Sequence, residues 1–317
     1  MSSNANHKNC ITNTNSTIKK AAKKGAKKLF KMYLSKINAD PRDKDIQFFE
    51  EGHLYIIYNN PKVKYTSTTT WVHSYFEKFD ADKIIEKMMK GKSWKEGHKY
   101  WNMTSQQIKD SWNKNGSEVS NAGTKMHYDI ECFMNNSNLN KSIYNHKDLF
   151  DNYFDSIMDA SCIPFDSSNN VPKEWQYFIN FVRDFPSMVP YRTEWTIFHE
   201  ELKISGSVDM VYEKSDGTLA IYDWKRCKDI SKINNFNKFA IVAPICHLPD
   251  SNFWHYALQL NIYRYILQEK YNKTVSELCL VRLHPDAKEK NYELIPVPML
   301  DQEINDIVAL RMCTLHF

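Results

Sequence analysis

The chain has 317 residues, 42% hydrophobic and 14% aromatic, enough for a substantial core in one large domain or two small ones. Its net charge of +4 is uneven: residues 1–39 hold nine lysines and no acid, so the remainder has an acidic excess, and the basic arm points to a polyanionic partner. No apolar run reaches 18 residues and no apolar h-region lies near the N-terminus, so neither a membrane partner nor secretion is expected, and seven scattered cysteines without a C-x-x-C pair fit an intracellular, reducing compartment.

Residues 1–17 are rich in Asn, Ser and Thr and read as disordered. The Lys- and Ala-rich stretch 18–36 predicts a short basic helix. It fits a nuclear-localisation signal, a DNA-binding arm, an organelle presequence or a solvated tail without function. The folded part is expected to begin near Asp45, leaving 1–44 as a flexible basic arm. Within 45–317, residues 45–119 read as an accessory hairpin and helices, and 120–317 as the core.

Strands are expected over 47–57 and 62–66, around the turn Asn59-Asn60-Pro61. A hydroxyl of Ser67-Thr68-Thr69-Thr70 would cap a helix over 71–79. Helices at 81–90 and 104–113 follow; the Trp, Tyr and Met side chains of these segments are expected in the core rather than on a base-stacking surface. Gly123-Thr124 opens a helix over 125–134, on which His127 and Glu131 share a face. A polar loop (135–145), a helix (146–159) and a second loop come next. The helix 173–185 then carries Trp175, Phe178, Ile179 and Val182 at core spacing.

Residues 191–199 alternate as a strand bearing Glu194. Residues 204–225 form a β-hairpin about Ser215-Asp216-Gly217, and Gly206 allows another group to approach the backbone closely. The loop 228–252 is placed to cover a site; His247, beside Cys246, lacks the paired spacing of a zinc ligand. The helix 253–271 bears Gln259 and Tyr263 on one face, followed by strands at 279–283 and 293–297 and a helix at 299–313. This order predicts an α/β sandwich with one mixed sheet. Without a Walker A loop or G-x-G-x-x-G, nucleotide binding loses support.

The hairpin carries the chemistry. Asp209 lies on its first strand, and Asp223-Trp224-Lys225 ends its second. Period-two alternation puts Asp223 and Lys225 on one face. Two carboxylates can hold a hard divalent cation, and a lysine beside them can orient or deprotonate a water. The same residues are also common on a solvated sheet edge.

The order Gly123-x-x-x-His127, Glu194, Gly206-x-x-Asp209, Asp223-Trp224-Lys225, Gln259-x-x-x-Tyr263 resembles the PD-(D/E)XK nuclease superfamily. It is most similar to the RecB-like exonuclease branch, which includes the mitochondrial genome maintenance exonucleases. The resemblance spans roughly residues 120–283, and the Ser67 to Thr70 segment extends it upstream. Each motif is short; the specificity lies in five of them in order on the expected elements.

The resemblance implies a restriction-endonuclease-like sandwich, a central mixed β-sheet flanked by helices. It implies Mg2+ or Mn2+ held by Asp209, Asp223, the Trp224 carbonyl and His127. Lys225 would position the attacking water, Gln259 and Tyr263 would hold the site and the DNA backbone, and Glu194 would stand behind the ligands. Relatives with an iron–sulfur cluster carry a cysteine triplet after the Q-x-x-x-Y helix. Only Cys279 and Cys313 follow it here, so no cluster is expected. No helicase motor accompanies these motifs, so the expected partners are DNA with free ends, single- or double-stranded, and a separate replication or recombination protein.

The function so implied is a metal-dependent DNA exonuclease in replication, repair or recombination. Its rivals are a structure-specific endonuclease on the same fold, a non-catalytic nucleic-acid-binding protein, and an interaction protein whose arm docks on an acidic partner. The Asn- and Lys-rich composition fits an AT-rich genome such as a viral one, and the nucleus or cytoplasm of a host cell, or an organelle, as the place of action.

Overall fold

The computed structural model describes residues 33–49, 52, 54–59, 61–135, 143–155 and 170–315; most of the basic arm and most of the loop after Asn135 lie outside them. The folded part begins earlier than the lysine-rich composition implies. Leu34 on α1 (Tyr33–Ile37) is 1% exposed, and its N–H donates to the Asn135 side chain at 3.0 Å. Arg192 holds the following turn through Asp43 at 2.8 Å and the Asn38 carbonyl at 2.9 Å. The arm expected over 1–44 therefore does not reach 44. One buried leucine and its polar anchors outweigh the surrounding lysines.

The expected strand 47–57 is a hairpin, β1 (Ile46–Phe49) with β2 (Leu54–Ile57), because Gly52 at φ +80 turns the chain. The expected strand 62–66 reduces to β3 (Thr66–Ser67). Ser67 then caps α2 (Thr68–His73), accepting from the Thr70 N–H at 3.1 Å. After α3 (Ala81–Met89), the two helices expected at 104–113 and 125–134 are one, α4 (Ser105–Met134). Its start has a reciprocal cap between Thr104 and Gln107. Gly116 and Gly123 read as breaks in the sequence, yet each costs only about 1 kcal/mol inside a helix. The boundary expected at 119/120 thus falls within a continuous helix.

The remaining elements are α5 (His146–Asp155), α6 (Lys173–Asp184), β4 (Val189–His199), β5 (Ile204–Glu213), β6 (Leu219–Lys225), α7 (Asn252–Tyr271), β7 (Val275–Arg282), β8 (Glu293–Pro296) and α8 (Asp301–Leu315). The architecture is α/β: one mixed sheet, ordered β3-β5-β6-β7-β8 with β4 also on β5, flanked by helices. Inward residues alternate along the strands. Val211 and Ile221 join the cluster under α2, α7 and α8, while Met210, Tyr212 and Tyr222 join the cluster under α4, α5 and α6. No helix among the described residues is long and apolar enough to cross a membrane.

One irregularity of the sheet matters for function. β4 pairs antiparallel with β5 from Val189↔Glu213 to His199↔Ile204. The opposite edge of β5 is divided: parallel β3 takes Ile204 and Ser205, and β6 takes Met210 to Glu213. β6 runs on past Tyr222 to pair with β7 through Asp223↔Leu280, Trp224↔Val281 and Lys225↔Arg282. The two hairpin strands therefore fork just beyond Met210 and Tyr222, between Asp209 and Asp223.

Candidate metal centre

Asp209 closes the fork. Its Oδ2 accepts the Trp224 backbone N–H at 3.1 Å, replacing the ladder bond that the parting strands forgo. Asp223 lies deeper, 1% exposed, on the same face of β6 as Lys225. Lys225 Nζ stands 2.5 Å from Asp223 Oδ2, but neither Asp223 oxygen has a hydrogen bond of normal geometry.

His127 enters from α4. Its Nε2 donates to the Trp224 carbonyl at 3.0 Å, while Nδ1 lies 3.5 Å from Asp209 Oδ2 and 3.6 Å from Glu194 Oε1. Glu194 reaches this trio by a strained backbone: it has φ +43 between the paired residues Thr193 and Trp195, opposite Asp209. A left-handed non-glycine residue costs about 1–3 kcal/mol. Its carboxylate is fixed by the Ser207 hydroxyl at 3.0 Å. Ligand atoms of His127, Glu194 and Asp209 all lie within 4.8 Å of one another. Glu194 is thus level with the ligands that the resemblance names, not behind them.

Gln259 and Tyr263 support β5 from α7. Gln259 donates to the Tyr263 hydroxyl at 2.9 Å. Tyr263 packs against Gly206, where a Cβ would fall 2.5 Å from its ring carbon Cε1 and 3.0 Å from Thr68 Oγ1. The close approach expected at Gly206 is that of Tyr263.

The electrostatics follow from burial and crowding. Burial raises the Asp209 carboxyl; Glu194 adds to the effect, and His127 opposes it. Burial and the neighbouring Asp209 push Asp223 up to about 6. Burial disfavours the Lys225 ammonium, yet Asp223 and Asp209 outweigh it and keep the side chain charged. For His127, too, burial opposes the charge, while Asp209 and Glu194 carry the imidazole up to about 9.

The ligand atoms that lie mutually within 4.8 Å are those of His127, Glu194 and Asp209; the Trp224 carbonyl contacts His127, Asp223 stands beside Lys225 outside that group, and Gln259 and Tyr263 are behind. Two further tyrosines belong to the centre. Tyr256 places its ring 4.4 Å from Lys225 Nζ. Tyr55, on β2, is 9% exposed, and its hydroxyl is raised first by burial and then by the charges of Glu194 and Asp209. Tyr256 was within reach of the sequence, being on the helical face of Gln259 and Tyr263. Tyr55 lies in a hairpin remote in sequence, and no local pattern marks it.

The loop 228–252 follows Lys225 and runs to α2 and the start of α7: the Ile241 N–H donates to the Tyr75 carbonyl at 2.8 Å, and Trp254 Nε1 to the Lys232 carbonyl at 3.0 Å. His247 is surface-exposed, 3.2 Å from Glu303.

No family model matches the chain, and no curated protein matches it significantly.

Proposed function

We propose that the chain is a metal-dependent DNA exonuclease of the PD-(D/E)XK superfamily, RecB-like branch, on a restriction-endonuclease-like sandwich, serving DNA replication, repair or recombination. The observation that carries this reading is the fork between β5 and β6. It concentrates a buried and a half-buried carboxylate, an imidazole, a backbone carbonyl and a charged lysine where the sheet opens.

The donor set suits a hard divalent cation such as Mg2+ or Mn2+: oxygens of Asp209, Asp223 and the Trp224 carbonyl, one imidazole and no thiolate. Both Asp223 oxygens are buried without a hydrogen bond of normal geometry, Oδ2 having the Lys225 ammonium beside it at 2.5 Å. A carboxylate so placed is costly unless a positive charge meets it, and the Lys225 contact alone does not satisfy its oxygens. A cation bound there would polarise a scissile phosphate and acidify a coordinated water.

The chain's own groups supply the rest. Lys225 remains protonated, so it acts as a donor that orients the attacking water and opposes charge developing on the phosphate, not as the base. Tyr256 limits its swing. Ser207 fixes Glu194, which with Asp209 orients the imidazole of His127. Gln259 and Tyr263 stiffen β5 at Gly206, three residues from Asp209. The lysine run before residue 32 would hold DNA near without reading sequence.

The test is digestion of end-labelled linear DNA by the purified chain with Mg2+, beside closed circular DNA. Linear DNA should be shortened from its ends, circular DNA should stay intact, and Asp223→Ala or Lys225→Ala should each abolish cleavage. Activity surviving both substitutions removes the reading, and cleavage of circles turns it to an endonuclease.

A further inference from the structure

Outside the three packed clusters of the core, six aromatic rings touch in series on the surface: Trp101, Trp94, His98, Tyr100, Trp112 and Phe79. The successive centroid distances are 5.8, 4.9, 6.0, 6.1 and 5.9 Å. None belongs to a core cluster. The expectation that the Trp, Tyr and Met side chains hereabouts are core holds for Trp71 and Tyr75, 3% and 5% exposed, and fails for the half-buried Trp112; beside it Phe79 is 71% exposed. Trp101 is also exposed, at 37%. The ring series ends at an open groove lined by Phe79, Ala81, Lys109, Trp112 and Asn113.

The charge around the rings is one-sided. Residues 87–101 contain five lysines and a single acid, Glu96. Lys90 pairs with Glu86; Lys92, Lys95 and Lys99 have no carboxylate within ion-pair distance among the described residues. Lys99 Nζ stands 5.1 Å over the Tyr100 ring. Rings exposed at Phe79 and Trp101 and half-buried between them, interleaved with uncompensated ammonium groups, match the two needs of an unpaired nucleic-acid strand, stacking for bases and cations for phosphates. A duplex hides its base faces and would use only the lysines.

We infer that residues 79–112 form a single-strand-binding platform, separate from the metal centre and joined to it by α4. Trp112 and His127 are on that one helix, 15 residues apart. At 1.5 Å and 100° per residue they are about 22 Å apart along the axis and about 60° apart around it. That length spans about six nucleotides at the stacked rise of 3.4 Å. The destination of the strand rests on the proposed nuclease reading; the binding itself does not.

The test is fluorescence anisotropy with the full chain in EDTA, using labelled oligo-dT and a blunt duplex of equal length. Phe79→Ala/Trp101→Ala, both exposed sites, should weaken oligo-dT binding about fivefold or more and leave the duplex unchanged. Lys92, Lys95 and Lys99 changed together to Ser, with the rings intact, should reduce the slope of log affinity against log salt for oligo-dT by about two. The parent chain binding oligo-dT in EDTA yet leaving linear DNA uncut with Mg2+ would sink the nuclease reading and spare this one. Unchanged oligo-dT affinity in the ring variant, or an equal loss on duplex, overturns the platform. An unaltered salt slope in the lysine variant overturns it independently, should the ring variant misfold.

Discussion

Trp224 donates its backbone N–H to Asp209 Oδ2 at 3.1 Å, across the gap where β5 and β6 cease to pair. One carboxylate thereby acts as both a strand partner and a candidate ligand. Asp223, across the fork, has no such backbone anchor: its oxygens are sealed from water with only the Lys225 ammonium alongside. Two neighbouring carboxylates thus occupy different states, one pinned by the fold and one held at a cost to it.

That cost predicts a gain of stability on loss of charge. Burial and the neighbouring Asp209 raise Asp223 from 3.8 to about 6. The folded chain then binds this proton more tightly than the unfolded chain. Its contribution to stability falls as pH rises from about 4 to about 6, by on the order of 3 kcal/mol. Asp223→Asn should therefore raise the unfolding midpoint in EDTA at pH 7 and give no gain below about pH 4; on the proposed metal reading Mn2+ should stabilise the parent and not this variant. Thermal melts at the two pH values check it. A lower midpoint than the parent at pH 7 would mean that the Lys225 contact outweighs the burial.

Gly206→Ala should damage fold and site together. The added Cβ would lie 2.5 Å from Tyr263 Cε1, and Tyr263 is only 3% exposed, so the ring has no room to yield. The expected loss is about 1–3 kcal/mol, typical of overpacking, with cleavage reduced at least tenfold through the shift of Asp209 nearby. The double variant Gly206→Ala/Tyr263→Ala should be less destabilised than the sum of its singles in denaturant melts, and remain inactive. Additive losses would place the strain elsewhere.

The parts of this centre that the sequence exposed are local ones. Ser215-Asp216-Gly217 marks the hairpin, and Gly217 does take φ +78. Alternation alone puts Asp223 and Lys225 on one face, and a four-residue interval puts Gln259 beside Tyr263. The fork was not legible, since it depends on β3 and β6 sharing one edge of β5, and β3 comes from a segment 138 residues earlier at Thr66↔Ile204. Tyr55 is hidden for the same reason. The continuity of α4 was masked by Gly116, Asn121 and Gly123, residues that break isolated helices and are tolerated in one capped at its start and packed at its end through Met126, Ile130 and Met134. At the N-terminus, lysine count concealed the single buried Leu34 that brings the chain into the fold.

On the proposed metal reading, His127 should make the affinity for a cation depend on pH. Its imidazole is raised to about 9 because the carboxylates of Asp209 and Glu194 overcome the effect of burial. In the absence of metal this raised value stabilises the fold fully below about pH 6.5, and the benefit is lost as pH rises through about 9. A metal ligand must be a neutral imidazole, so between those limits binding through His127 expels one proton. Mn2+ affinity should rise by up to about tenfold per pH unit over this window and level off near pH 9. His127→Ala should bind more weakly and show a flatter profile, because it has no imidazole proton to expel. Titration calorimetry in two buffers of different ionisation enthalpy reads the released proton directly. A parent chain that binds Mn2+ with no proton release near pH 7.5, and with the affinity of His127→Ala, would remove His127 from the ligand set and leave Asp209, Asp223 and the Trp224 carbonyl to hold the cation.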